Sequence, residues 1–215
     1  MSGEAMATDD IMDGAYRALC EHGYAELTMQ DIADECEKSK SLLHYHYDTK
    51  EDLLVAFLDG ILADYEQRLE CRADRPPAER LVEFVARFVF TPEEDDRESF
   101  HLALLEMRSQ GPFNERIQAQ LDRSDELLRD SVADILDAGI ADGSFEPVGV
   151  DRTAALLVAT LDGARTRQIT LGDAQPAASY TRVVAEEALE GIVDPLLTEG
   201  ADRPTLSDAL EQLDD

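Results

Sequence analysis

At 215 residues the chain has room for one sizeable core, or for a small module fused to a larger one. It carries 48 acidic against 19 basic side chains, a net charge of −29, and a surface of that sign repels nucleic acid at long range. An acidic disordered protein is excluded, because 44% of the residues are hydrophobic and they recur with clear helical periodicity. So large a negative surface with so little lysine is a composition that keeps a protein soluble at very high salt, and the source is expected to be a salt-accumulating halophile. No stretch approaches the length of a membrane-spanning helix, and the N-terminus (MSGEAMATDD) lacks a basic-then-apolar signal pattern, so a soluble, cytoplasmic protein is expected. Cys20, Cys36 and Cys71 fit neither a disulfide framework nor a zinc pattern; Cys20 and Cys36 fall among apolar helix positions and read as small buried hydrophobes.

Helix signals run from end to end, and no useful length alternates with period two, so the fold class is all-α with about nine helices. The first helix is expected over 9–22, with Ile11, Ala15, Ala18 and Leu19 on one face and Gly23 as a left-handed C-cap. Thr28 is placed to cap a second helix, with Asp31 completing a capping box and Ile32, Ala33 and Cys36 as its buried side. The break Glu37 to Lys40 leads into a short helix, Ser41 to Tyr47. Thr49 then caps a longer one that buries Leu53, Leu54, Phe57, Leu58, Ile61 and Leu62 and ends before Pro76. Five more helices are expected at about 78–90, 98–110, 113–141, 151–171 and 178–198. The acidic run at 93–96 reads as a solvated loop rather than a metal site, because its spacing supplies no defined coordination shell. The tail, 201–215, is expected to hold at most one short helix, loosely attached.

The bases are not spread evenly. All three lysines, Lys38, Lys40 and Lys50, fall within thirteen residues, alongside His44 and His46 and a single acid, Asp48; residues 1–37 hold ten acids and one arginine. A local reversal of sign in so acidic a chain points to contact with something anionic. The second and third expected helices have the makings of a helix-turn-helix, whose second member enters the major groove while its partner braces against the backbone. Leu43 and Tyr47 lie four apart as core anchors. The other face offers Lys40, Ser41, Leu42, His44, Tyr45 and His46, donors and planar groups suited to phosphates and base edges. Lys50 opens the next helix, where a cation beside free backbone N–H groups can hold a phosphate. The two histidines lack supporting cysteines or carboxylates at usable spacing, so no metal is expected there.

The stretch from Leu27 to Leu54 resembles the DNA-binding signature of the TetR/AcrR family of regulators. The matching features are Gly23-Tyr24, Thr28, Ile32-Ala33, Ser39-Lys40, the aromatic-rich run His44 to Tyr47, and Lys50 to Leu53; the close match covers about residues 9–58. Two positions depart from it: Glu37-Lys38 stands where the family commonly has Gly-Val, and Ser41 where it often has Gly. Carried over by position, the resemblance implies that Thr28, Ser39, Lys40, Tyr45 and Lys50 contact the DNA backbone; Lys38, as a member of the lysine cluster, is a further DNA-binding candidate. Ser41, Leu42, His44 and His46 would then face bases.

The same resemblance implies a DNA-binding head over 1–50, a ligand-binding and dimerisation region over 51–200, and an acidic tail over 201–215. The expected function is a ligand-responsive homodimeric repressor on a palindromic operator of double-stranded DNA, with a small-molecule effector, no cofactor, no metal and no membrane contact. The small-residue stripe Ala155, Ala159 and Gly163, with Val184, Ala188 and Ile192, forms the expected dimer interface. Pocket candidates are Phe84, Phe88, His101, Leu105, Leu128 and Leu161, with Arg108 and Arg165 to anchor an anionic group. Two other classes compete. An all-helical enzyme would need a convergent catalytic constellation, for which the lone His101 is a poor start. A protein–protein adaptor that has lost DNA binding would not be expected to keep its lysines clustered.

Overall fold

The computed structural model describes residues 3–70, 74–90, 95–171 and 179–213. Among them it is all-helical, with ten α-helices and a lone bridge between Phe145 and Leu197. Cys71, the acidic run at 93–96 and the GDAQP break fall wholly or partly outside the described residues.

The N-terminal elements start and stop where local chemistry demands. Helix α1 (Gly3–Glu26) is interrupted at Gly23, whose φ of 66° and ψ of 175° lie in a region open essentially only to glycine. Helix α2 (Met29–Glu35) begins on a complete capping box: Thr28 accepts from the backbone of Gln30 and Asp31, and Asp31 accepts from the backbone of Thr28. Ser39 caps α3 (Lys40–His46) by accepting from Leu42 N. Thr49 and Asp52 repeat the capping box at the start of α4 (Lys50–Glu70).

The remaining helices are α5 (Pro77–Ala86), α6 (Asp95–Arg108), α7 (Glu115–Asp142), α8 (Val150–Leu171), α9 (Tyr180–Ala188) and α10 (Leu206–Glu211). Two of them end earlier than their hydrophobic periodicity predicts. Beyond Ala86 the chain tightens into i→i+3 bonds (Phe88 N to Val85 O, Val89 N to Ala86 O), and Phe90 N turns to the hydroxyl of Thr181. Helix α9 passes into a π turn (Leu189–Val193) and then a 3₁₀ turn (Asp194–Leu196).

The chain divides into two compact units. The first comprises residues 1–65 with 93–124, so it reaches well past residue 50. Its core joins Ile11, Leu19, Ile32 and Leu43 of the N-terminal helices to Leu53, Leu54 and Phe57 of α4, Phe100 and Met107 of α6, and Ile117 of α7. The second comprises residues 66–92 with 125–215 and packs Leu81, Phe84, Ile135, Leu136, Leu157 and Leu161 with the last helices. The tail is not loosely attached: Leu206 and Ala209 of α10 are buried in that core. Arg75 donates to both Gln212 Oε1 (2.8 Å) and the buried carboxylate of Glu83 (3.0 Å), which also accepts from Arg87 (2.9 Å). Among the described residues no helix is long and apolar enough to cross a membrane.

Candidate nucleic-acid interface

Helices α1 and α2 cross closely because of Gly14. A Cβ at this position would stand 2.6 Å from Cys36 Cβ, nearer than two carbons can approach. Arg17 braces the crossing, with Nε donating to Glu35 Oε2 (3.0 Å) and Nη2 to the Glu35 carbonyl (2.6 Å). Burial raises the Cys36 thiol pKa, which disfavours the reactive thiolate and fits a packing role. In the turn that follows, Glu37 takes a left-handed φ of 52°. The turn therefore keeps the conformation that glycine would favour, with the strain of a side chain in it.

Helix α3 is anchored by Leu43, which has no exposed surface; burying such a side chain contributes roughly 1.5–3 kcal/mol. Tyr47, half-buried, closes the same side at the C-cap, and burial raises its phenol pKa. The opposite side is open: Lys40, Ser41, His44 and Tyr45 are exposed, Tyr45 at 76%, with Leu42 and His46 half-buried beside them. The rings of Tyr45 and His46 meet edge to face at 5.1 Å, so the two orient each other.

The three lysines prove to have three different situations. Lys38 Nζ pairs with Asp10 Oδ2 at 2.8 Å, and that hydrogen bond is the main reason its pKa rises. Lys50 Nζ donates to the Tyr24 carbonyl at 3.0 Å and lies 4.7 Å from the centre of the Tyr24 ring. Lys40 is exposed, and no hydrogen bond or ion pair engages its ammonium among the described residues. The Thr28 hydroxyl gives its proton to Asp31 Oδ2 (2.7 Å), which is the leading cause of the lowered Asp31 pKa. The sequence grouped these polar residues by type; the structure separates those with a partner in the chain (Thr28, Lys38 and Lys50) from those such as Lys40 that face solvent. Asp10, Tyr24 and Asp31 take up the others, and the first two partners lie too far off in sequence to be read from it.

The stripe Ala155, Ala159 and Gly163 is exposed along α8, and a Cβ on Gly163 would meet nothing within 4 Å. It lines a surface groove of about 550 Å³, together with Asp125 and Arg129 of α7 and Thr166 of α8. Leu156 and Val183 add exposed apolar surface. Val184 and Ile192 are half-buried. Ala188 is enclosed in its own chain's core and has no surface to offer a partner.

The eight pocket candidates are divided between the two units. Phe84, Phe88, Leu128, Leu161 and Arg165 belong to the second unit, whereas His101, Leu105 and Arg108 belong to the first. Phe84 and Phe88 are buried with ring centres 5.4 Å apart, and Leu161 is buried in the same core, against which Leu128 packs. The Arg165 guanidinium lies 4.1 Å over the Phe88 ring and donates to the Arg87 carbonyl at 3.1 Å. His101 rests against Phe100 at 5.7 Å, Leu105 is half-buried and Arg108 is exposed.

Comparison with known proteins places this arrangement in context. Residues 11–57 match the family described as bacterial regulatory proteins, tetR family, and residues 76–207 match the BetI-type transcriptional repressor C-terminal family. The crystal structure of a TetR transcription regulator from Haloarcula marismortui is 37% identical, with a TM-score of 0.78 over 90% of this chain and 100% of that one. The transcriptional repressor AcnR of Corynebacterium diphtheriae is 27% identical over 172 residues, 79% of this chain and 84% of its own. The biofilm operon regulator IcaR of Staphylococcus epidermidis is 29% identical over 94 residues, and the match spans 47% of its length.

Proposed function

The chain belongs to the TetR family of bacterial regulatory proteins, and on that premise we propose that it works as a homodimeric, ligand-responsive repressor. Helix α3 of each protomer enters the major groove at one half of a palindromic operator. The observation that carries this reading is the two-sidedness of α3: Leu43 fixes it to the core while Lys40, Ser41, His44 and Tyr45 stay open to solvent. Lys40, Ser39 and Tyr45 would meet phosphates, and Ser41, Leu42, His44 and His46 base edges; Thr28, Lys38 and Lys50 act mainly by holding the head in shape. In this reading residues 1–50 read DNA, residues 51–200 bind the effector and the partner protomer, and residues 201–215 close the regulatory region.

The dimer forms through the exposed stripe of α8 with Leu156, Val183 and the outward parts of Val184 and Ile192. Small residues let two helices approach closely, and two heads on one duplex gain avidity that one head lacks. The effector is a small molecule held by the apolar faces of the regulatory helices, for which the Phe84, Phe88 and Arg165 cluster is the best-defined starting point. The acidic surface suits a cytoplasm of high salt, where the protein meets its operator.

Sedimentation of the full chain in molar KCl, alone and with a duplex selected from a random-sequence pool, tests the assembly. A two-chain particle that stays two-chain on the duplex is expected; a single chain in both conditions would contradict the proposal.

A further inference from the structure

The interruption of α1 at Gly23 leaves the N–H groups of Tyr24 and Ala25 without their regular helical acceptors just before the chain enters α2. Both are taken up by one side chain from a distant helix: Glu106 Oε2, on α6, accepts from Tyr24 N at 2.7 Å and from Ala25 N at 3.1 Å. The carbonyl of the same residue, Tyr24, accepts from Lys50 Nζ at 3.0 Å. Charged groups of opposite sign therefore grip both sides of this elbow, one from α6 and one from α4. Gly23 makes room for the first, since a Cβ there would lie 3.1 Å from Glu106 Oε2.

We propose that Glu106 is a positioning residue for DNA binding, its carboxylate pinning the α1–α2 elbow so that the α2–α3 pair is presented to the duplex in one orientation. The elbow is followed at once by Leu27 and the Thr28 cap of α2, and Leu27 is buried in the same core as Ile32 and Leu43. A rotation at Tyr24 is carried directly into α2 and from there into α3. Charge-assisted hydrogen bonds are about twice as strong as neutral ones, so a carboxylate holding two N–H groups is a firm pin. Nothing in this arrangement requires Glu106 to touch DNA.

The inference rests on α3 as the DNA-reading element, and the experiment separates the two. Full-length wild type, Glu106→Gln and Glu106→Asp are titrated with a fluorescent duplex selected by the wild type from a random-sequence pool, in KCl from about 0.5 to 3 M. Each protein's unfolding midpoint is recorded. Gln keeps the reach and an acceptor oxygen but not the charge; Asp keeps the charge but shortens the arm by a methylene. The pin predicts that Asp, which cannot reach both N–H groups, weakens binding by about a hundredfold, while Gln, which reaches them without the charge, weakens it by about tenfold. It also predicts an unchanged log–log salt slope, because no phosphate contact is lost. If Glu106 acted only as one more negative charge, Asp would equal wild type and Gln would bind more tightly, and either result overturns the proposal. So does a fall in unfolding midpoint with affinity of the folded protein unchanged, which would make Glu106 a packing residue alone. A wild type that enriches no sequence removes the DNA-reading role, and the pin with it.

Discussion

Salt is the perturbation that separates this protein most sharply from an ordinary DNA binder. Each phosphate neutralised by a bound cation contributes about −0.9 to the slope of log affinity against log salt. Of the three lysines near the recognition helix, Lys38 is paired with Asp10 and Lys50 is held at Tyr24, leaving Lys40 open. Two heads then neutralise about two phosphates through lysine, giving a slope near −1.8 and roughly a 60-fold loss of affinity between about 0.1 and 1 M salt. Were all three lysines of each head to neutralise phosphates, the slope would be near −5.4 and the loss about 10⁵-fold. The −29 charge of each chain works the other way. Its repulsion of DNA extends about 10 Å at 0.1 M salt but only about 3 Å at 1 M, so rising salt removes a penalty while it weakens the contacts. A slope between zero and about −2 is expected, with measurable affinity at molar KCl. Fluorescence anisotropy with a selected duplex measures it, with circular dichroism at each salt concentration to confirm folding. A slope steeper than about −4 from a chain that stays folded throughout would refute both the lysine assignments and the high-salt reading of the composition.

Lysine substitutions should divide by mechanism. Lys40→Ala should weaken binding to all sequences alike and make the slope shallower by about one unit per head. Lys50→Ala should weaken binding with the slope unchanged, because it frees the Tyr24 carbonyl rather than a phosphate; titrations across salt distinguish the two. Glu37→Gly should raise the unfolding midpoint by about 2–4 °C, since it relieves a left-handed side chain worth about 1 kcal/mol, and Glu37→Val should lower it. Gly163→Leu should leave the monomer folded, there being open space around the position, yet raise the dimer dissociation constant by roughly tenfold or more as measured by sedimentation.

The helices and the two-sided recognition element were legible because they depend on local rules. The Thr28 and Thr49 caps, the Gly23 interruption and the burial of Leu43 follow from neighbours within a few positions. What escaped the sequence is set by partners far along the chain. The ends of α5 and α9 yield to tertiary contacts, such as Phe90 N with Thr181, that periodicity does not contain. The acidic tail reads as loosely attached, yet the spacing of Leu206 and Ala209 gives it one apolar side, and Arg75 reaches across to Gln212. Ala188 shared the small-residue pattern of the α8 stripe but faces its own core, because a single helix face cannot be assigned to partner or self without the packing. Glu106 carried no signal at all, being one acid among 48 acidic residues.

The central claim, that α3 reads DNA sequence through its exposed side, is tested most directly by selecting duplexes from a random pool with wild type and with His44→Ala under identical salt. The account predicts a two-fold-symmetric consensus for the wild type. It predicts for His44→Ala the same consensus with preference lost at one position in each half-site, by about 1–3 kcal/mol. Enrichment of the same full consensus by both proteins, or of none by the wild type, would contradict it.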